Sequence, residues 1–285
     1  MQLSIRPLSS LLSTILCAGI ALLSPLLSFG AQDKILVAGT GSAVGVMALV
    51  AKAFQKKHPE TTVVILPSVG SAGGIKGVRD RKIDVGLSVR VMKQEEKAPG
   101  IIEELYGRTA FLFAVQTSNP LQDLTLQEIE DIYSGKTATW HNGDQIRLIL
   151  RPRSDAYSLL LAGISPGMKA ASEKSQNIPG VFVGATDMDA AAQIERTQGS
   201  FGVTSACLVA AEKRKIKGLS VNGKVPTVAN VASGAYPYFM NMYVIYRMDS
   251  ANPAVKLFID FIYSDQGRKI LAQTEHVVEK RGSTR

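Results

Sequence analysis

Cysteine, histidine and aromatic residues are scarce in this chain of 285 residues, which has 2 Cys, 3 His and 1 Trp, with 6% of positions aromatic. Cys17 lies inside the apolar stretch of the first thirty residues, so removal of that stretch leaves Cys207 without a partner. An internal disulfide is then excluded, and the fold must stand on its core. In "TSACLVAA", Cys207 reads as a small buried hydrophobe. The histidines form no catalytic pattern: His58 precedes a proline, His141 sits in the polar turn "WHNGD", and His276 is near the C-terminus. No spacing of His, Cys or carboxylates fits a metal site. Ser71 in "VGSAGG" has Val69 where a nucleophile elbow needs glycine. A hydrolase would lack nucleophile, base and oxyanion hole together, so no enzyme, cofactor or metal is expected. Blocks of basic charge are also missing apart from "EKRKIK" at 212–217, which argues against a nucleic-acid partner.

The first thirty residues stand apart from the rest. Arg6 precedes the apolar run "LSSLLSTILCAGIALLSPLLSFG", which exits through the small residues Ser28 and Gly30 into "AQDK". A basic start, an apolar centre and a small-residue exit form a secretory signal, with cleavage expected near Gly30-Ala31 and a periplasmic or secreted product. The alternative is an uncleaved anchor, since the run approaches spanning length. Ser24-Pro25 and the small exit favour cleavage. Arg6 is the one charged residue lost, which lowers the net charge from +8 to +7 and suits an anionic ligand.

From Lys34 onward apolar runs alternate with helical patterns. "KILVAG" reads as a buried strand, "VGVMALVAKAFQKKHP" as an amphipathic helix, and "TTVVILP" as a β-branched strand. A short helix over "GGIKGVRDRK" and a third strand, "IDVGLSV", complete β-α-β-α-β, the signature of a parallel sheet. Ligands on such sheets sit at the carboxyl ends of the strands, here at "GTGSA", "SVGSAGG" and "VRVMK". A second block opens at "RTAFLFAVQTSNP", and in it Thr125 can cap a helix carrying Leu126, Ile129 and Ile132. "GLSVNGKVPT" reads as a hairpin with Asn222-Gly223 at its tip. "PAVKLFIDFIYSDQGRKILAQT" reads as one closing helix, and "EKRGSTR" as a frayed tail. No Pro- or Gly-rich linker separates the blocks, so crossing strands are expected to join two lobes.

The spacing Gly39-x-Gly41-x-x-x-Gly45 approaches a dinucleotide fingerprint. That function needs an acid at the end of the second strand to hold the ribose, and Leu66-Pro67-Ser68 supplies none. A small anion asks less. Hydroxyls and free backbone N–H groups at a helix start favour it, and Arg90 and Arg151 can add charge-assisted bonds. Arg153 reads as a solvated charge.

On these residues the chain resembles the periplasmic phosphate-binding proteins of ABC transporters. "VVILPSVGSAGGIKGVRDRKIDVGLSV" is similar to the family's strand, Gly-Ser-x-Gly-Gly turn, short helix and Asp-x-Gly-x-Ser strand. "LTLQEIEDIYSGKTATWHNGD" is similar to its second-lobe segment with Ser-Gly-Lys followed by Trp. The resemblance runs from about Lys34 to Val278. It implies an α/β, two-lobed periplasmic-binding-protein fold, each lobe a mostly parallel sheet flanked by helices, joined by two crossing segments. Lobe 1 is expected over 31–112 and 238–285, lobe 2 over 113–237, after a signal peptide at 1–30. The implied function is hinge closure over phosphate or a related anion, by a monomer that delivers it to an ABC permease. A secreted sensor that signals to a membrane partner without transport is the alternative.

The implied ligand-binding residues are Thr40, Gly41, Ser42 and Ala43 in the first loop, and Ser68, Ser71 and Gly73 in the second. Val89 and Arg90 follow the third strand, and Arg151, Ser154 and Asp155 come from the second lobe. By matched position, Ser71 corresponds to a phosphate-donating serine, Arg151 to the second-lobe arginine, and Gly41-Ser42 to the first anion loop. Three departures stand out. The family has a threonine at Ala43, a proton-accepting carboxylate where Val89 and Arg90 stand, and Ser-Gly-Thr in place of Asp155-Ala156-Tyr157. A carboxylate at Asp155 would repel an anion, so either it points away, Arg90 or Arg151 neutralises it, or the ligand is not simple phosphate.

Overall fold

The structure, a computed structural model, describes residues 33–282. The apolar run from Ile35 to Ala38 has no polar side chain to solvate, and it forms the centre of β1 (Asp33–Gly39). The chain then winds into α1 (Gly41–Lys57), returns as β2 (Thr61–Ile65), turns through α2 (Gly70–Arg79) and enters β3 (Val85–Ser88). The three strands lie in the order β2-β1-β3, all parallel. On α1 the buried stripe Val46, Met47, Val50 and Phe54 recurs at helical spacing and packs in the core. Lys56 and Lys57 stand in its last turn, where the dipole favours cations.

A 3-10 turn at Gln94–Glu96 leads into β4 (Ile101–Gln116), the longest strand at 16 residues. The second lobe follows with β5 (Asp123–Leu124), α3 (Leu126–Tyr133), β6 (Arg147–Leu150), α4 (Ala156–Ala162), α5 (Pro166–Ser175) and β7 (Phe182–Val183). It continues through α6 (Asp187–Arg196), β8 (Ser200–Ser205), α7 (Ala206–Glu212), β9 (Ile216–Gly218), β10 (Ser220–Val221) and α8 (Val228–Ser233). The chain returns by β11 (Phe239–Arg247), α9 (Pro253–Ile262), α10 (Asp265–Gln273) and β12 (His276–Val278).

Strand β4 crosses between the lobes. Its first part pairs with β11 and β12, and from Phe111 onward it pairs with β8 and β9. The second crossing is the segment entering β11. Phe111 N–H donates to Tyr238 O at 2.9 Å, and the Tyr236 hydroxyl donates to Phe111 O at 2.8 Å, so the two crossings are bonded to each other. The fold is the expected α/β arrangement, with helices flanking a ten-stranded sheet that runs through both lobes; β1–β3 and β6–β8 pair in parallel, whereas β11, β12, β8 and β9 pair antiparallel to β4. Thr125 caps α3, and its capping box closes with Glu128.

Four expectations need correction or qualification. The second block's strand begins at Ile101 rather than near Arg108, because β11 supplies a pairing partner along that whole length. Asn222 and Gly223 do form a tight turn, with φ of 51° and 72°. However, β10 pairs in parallel with β5, and only a Val221–Lys224 bridge survives of the hairpin. The closing helix is two helices, because Ser264 caps α10 by accepting from Gly267 N–H. The tail is tied down through Arg281: Glu279 pairs with Arg108 at 3.1 Å, and Arg281 with Glu104 at 3.0 Å. The leader and its cleavage position lie outside the described residues. No helix among the described residues is long and apolar enough to cross a membrane.

Candidate anion-binding site

Gly39 places the first loop. Its φ is 153°, and a Cβ there would overlap the Leu87 backbone, so only glycine lets β1 end this close to β3. Thr40 follows in extended conformation and α1 starts at once, so the glycine-rich loop is itself the first helical turn. The Thr40 hydroxyl does not cap its own helix, and α1 has no acid in its first turn. The Ser42 N–H therefore points outward from a long helix whose dipole favours negative charge.

A carboxylate of the same chain takes that position. Asp187, the first residue of α6 in the second lobe, accepts from Ser42 N–H at 2.6 Å through Oδ2. The same oxygen accepts from the Thr40 and Ser42 hydroxyls, each at 3.0 Å. Its other oxygen, Oδ1, accepts from Arg151 Nη2 at 2.9 Å. Tyr157 OH lies 2.6 Å from Ser42 Oγ; since the serine proton goes to Asp187, the tyrosine is the donor. Thr40, Ser42, Arg151, Tyr157 and Asp187 are all buried. Gly41 completes the fit, because a Cβ there would stand 2.7 Å from Met188 Sδ and 2.8 Å from Asp187 Cβ.

Arg151, at the end of β6, has most of its donors committed. Nε and Nη2 hold Asp155 at 3.3 and 2.9 Å, Nη1 donates to Gly184 O at 2.6 Å, and Nη2 also reaches Asp187. Asp155 is thus neutralised by Arg151, and it also caps α4 by accepting from Tyr157 N–H at 3.0 Å. One cation faces two carboxylates. Burial pushes the Asp187 carboxyl above its ordinary range; Arg151 and the Ser42 and Thr40 donors oppose the rise, and Asp155 adds to it. Burial also raises the Tyr157 phenol, with the charge of Asp187 as a second cause, so it remains a neutral donor.

The remaining sequence-derived residues fall around this seat. Ala43 is fully buried, with its N–H on Thr40 O. The Ser68 hydroxyl donates to Gly39 O at 3.1 Å, and Ser71 Oγ accepts from Val89 N–H at 3.1 Å, which ties the second loop to the end of β3. Val89 itself is buried. Gly73 lies where a Cβ would meet the Val69 side chain. Arg90 is held by Glu96 in a bidentate pair at 2.7 and 2.6 Å, and this keeps the Glu96 carboxyl below its usual range. Arg153 points elsewhere and donates to Asn177 at 2.7 Å. Next to the seat, a cavity of about 520 Å³ opens between the lobes, lined by Ser68, Ser71, Arg90, Lys93, Ser154 and Asp155 among others.

Sequence reasoning missed Asp187. Two signals pointed to it: "TDMD" offers two acids where a capping box uses one, and Gly41 is a glycine with no left-handed backbone to require it. No cluster of three or more metal-ligating side chains occurs among the described residues.

Comparison with known proteins gives these relationships. A family model described as a PBP superfamily domain matches residues 28–266. Phosphate-binding protein PstS 2 of Streptococcus pneumoniae is 30% identical over 109 residues, covering 38% of this chain and 37% of that protein. Alignment with this relative thus spans little more than a third of its length. Phosphate-binding protein PstS of Bacillus subtilis is 21% identical over 250 residues, covering 84% of this chain and 78% of the relative. Among solved structures, a putative phosphate ABC transporter substrate-binding protein from Clostridium perfringens, with bound phosphate, superposes with a TM-score of 0.74. It is 24% identical and covers 87% of this chain and 100% of that one, a likeness of fold.

Proposed function

This chain belongs to the PBP superfamily, and on that premise we propose that it is an exported solute-binding protein serving an ABC importer. It takes an oxyanion, phosphate or a related species, between its two lobes and closes on it by a hinge. The lobes are residues 31–112 with 238–285, and 113–237, and they swing about the paired crossings at Phe111 and Tyr236–Phe239. The protein acts as a monomer, performs no chemistry on its cargo and hands it to a membrane permease.

One observation carries this reading. Donors from both lobes, Thr40 and Ser42 on one side and Arg151 on the other, converge on a single buried negative group. Hydroxyls, a helix N–H and a guanidinium around one point are the donor set an oxyanion requires. The names of the relatives agree with an anionic cargo.

Thermal shift against phosphate, sulfate, phosphonates and small carboxylates tests it. A ligand at a hundred times its Kd adds about 2.7 kcal/mol of stability. Saturable stabilisation by a member of the panel supports the reading. If none stabilises either the native protein or a variant lacking Asp187, the reading fails.

A second reading, a bilobal sensor that signals without transport, is favoured by one feature. Asp187 itself joins the lobes, through Thr40 and Ser42. Uptake by vesicles carrying the cognate permease separates the two, since a sensor supports none.

A further inference from the structure

We propose that Asp187 is a built-in competitor for the oxyanion seat: its carboxylate stands where the ligand's charge belongs, and an anion enters only when it withdraws. This inference rests on the proposed function, and it names the residue that sets which anions the cleft accepts.

Several independent observations point the same way. The first is saturation. Asp187 Oδ2 takes Ser42 N–H and the hydroxyls of Thr40 and Ser42, and Oδ1 takes Arg151. Arg151 spends further bonds on Asp155 and Gly184 O, so an incoming anion competes there with partners already in place. Closure is the second. The side chains of Arg151 and Asp187 are 4% and 5% exposed, so their contact itself has little access to water, although Arg151 borders the cavity between the lobes.

The third concerns the helix that carries Asp187. An acid at a helix start ordinarily serves its own helix. In α6 that work is already done: Thr186 accepts from Asp189 N–H, and Asp189 accepts from Thr186 N–H, a closed capping box. Asp187 is free to reach away, to a loop 147 positions earlier in the chain. The fourth is Gly41, whose missing side chain is the space that Asp187 and Met188 occupy. Replacing Asp187 with a small residue frees the Ser42 N–H, the Thr40 hydroxyl and one Arg151 Nη2 bond, while Arg151 keeps Asp155 and Gly184 O. A binding seat for a carboxylate-sized or larger oxyanion is what remains.

Titration of native protein, Asp187→Ala and Asp187→Ser with formate and with inorganic phosphate, followed by thermal shift and calorimetry, tests this. Circular dichroism first establishes that each variant is folded, and Asp187→Ser keeps a polar residue at the helix start should the alanine variant not fold. Formate and phosphate are expected to bind at least one folded variant tenfold or more tighter than native protein. Equal or weaker binding by both folded variants overturns the inference while leaving the proposed function standing. No binding of any panel anion to native protein or variants overturns the proposed function itself.

Discussion

Arg151→Met is the substitution that bears most directly on the electrostatics of the cleft. Methionine keeps much of the arginine stem's apolar bulk but removes the one charge facing both Asp155 and Asp187. Their side chains are 16% and 5% exposed, so water cannot replace the lost partner at Asp187 and does so incompletely at Asp155. Breaking a buried ion pair from one side costs about 3–5 kcal/mol, because it strands the opposite charge. Gly184 O loses its donor as well, within the same range. For a domain near this size about 1 kcal/mol moves Tm by 2–4 °C, so a fall on the order of 10 °C accompanies the loss. Urea unfolding at pH 7, read as a change in midpoint at constant slope, measures it. Adding Asp187→Asn to Arg151→Met removes the more deeply buried of the two stranded charges, and the pair is expected to cost at least about 1 kcal/mol less than the two single changes summed. A loss below about 1 kcal/mol for Arg151→Met would mean that the carboxylates are not desolvated, and the closed seat would be refuted.

Two further outcomes follow from the same packing. Gly41→Ala lies in a helix, where alanine is otherwise favoured by about 1 kcal/mol, yet its methyl would overlap Met188 and Asp187. Overpacking is expected to reverse the sign and cost about 1–3 kcal/mol in denaturant unfolding, and a stabilised variant would contradict the contact. His276 is buried, with Nδ1 donating to Thr274 O at 2.9 Å and Nε2 without a partner among the described residues, and burial holds its pKa down to about 4. On acidification the unfolded chain takes up this proton first, near pH 6.5. The stabilisation is therefore complete above that pH and is lost as pH falls toward 4, by about 3 kcal/mol. His276→Asn should flatten that part of the stability curve, and an unchanged slope would count against it.

Much of the first lobe was legible because its information is local. Apolar runs of strand length alternate with helical stripes, and in the second lobe Thr125 with Glu128 announces the start of α3 within four residues. The loops "GTGSA" and "SVGSAGG" also marked themselves, since glycine and hydroxyl residues at strand ends have few other uses. Pairings across long separations were not legible. The length of β4 depends on β11, the tail on Glu104 and Arg108, and the fate of Arg90 on Glu96 in the 3-10 turn. Asp187 is the clearest case. Its neighbours spell an ordinary capped helix, and only the folded chain sets it against Ser42. The departures at Ala43 and Asp155 had suggested an altered ligand. With Asp155 neutralised by Arg151 and Ala43 buried, the residue that alters the seat is Asp187.

A crystal of folded Asp187→Ala protein soaked in selenate tests the central claim most directly, because selenium's anomalous signal locates the anion without bias from the protein. The expected result is a peak between the lobes within hydrogen-bonding reach of Ser42 N–H, the Thr40 hydroxyl and Arg151 Nη2, and no such peak in native crystals under the same soak. Selenate bound only elsewhere, or bound at that position in native protein with Asp187 still in place, would contradict it.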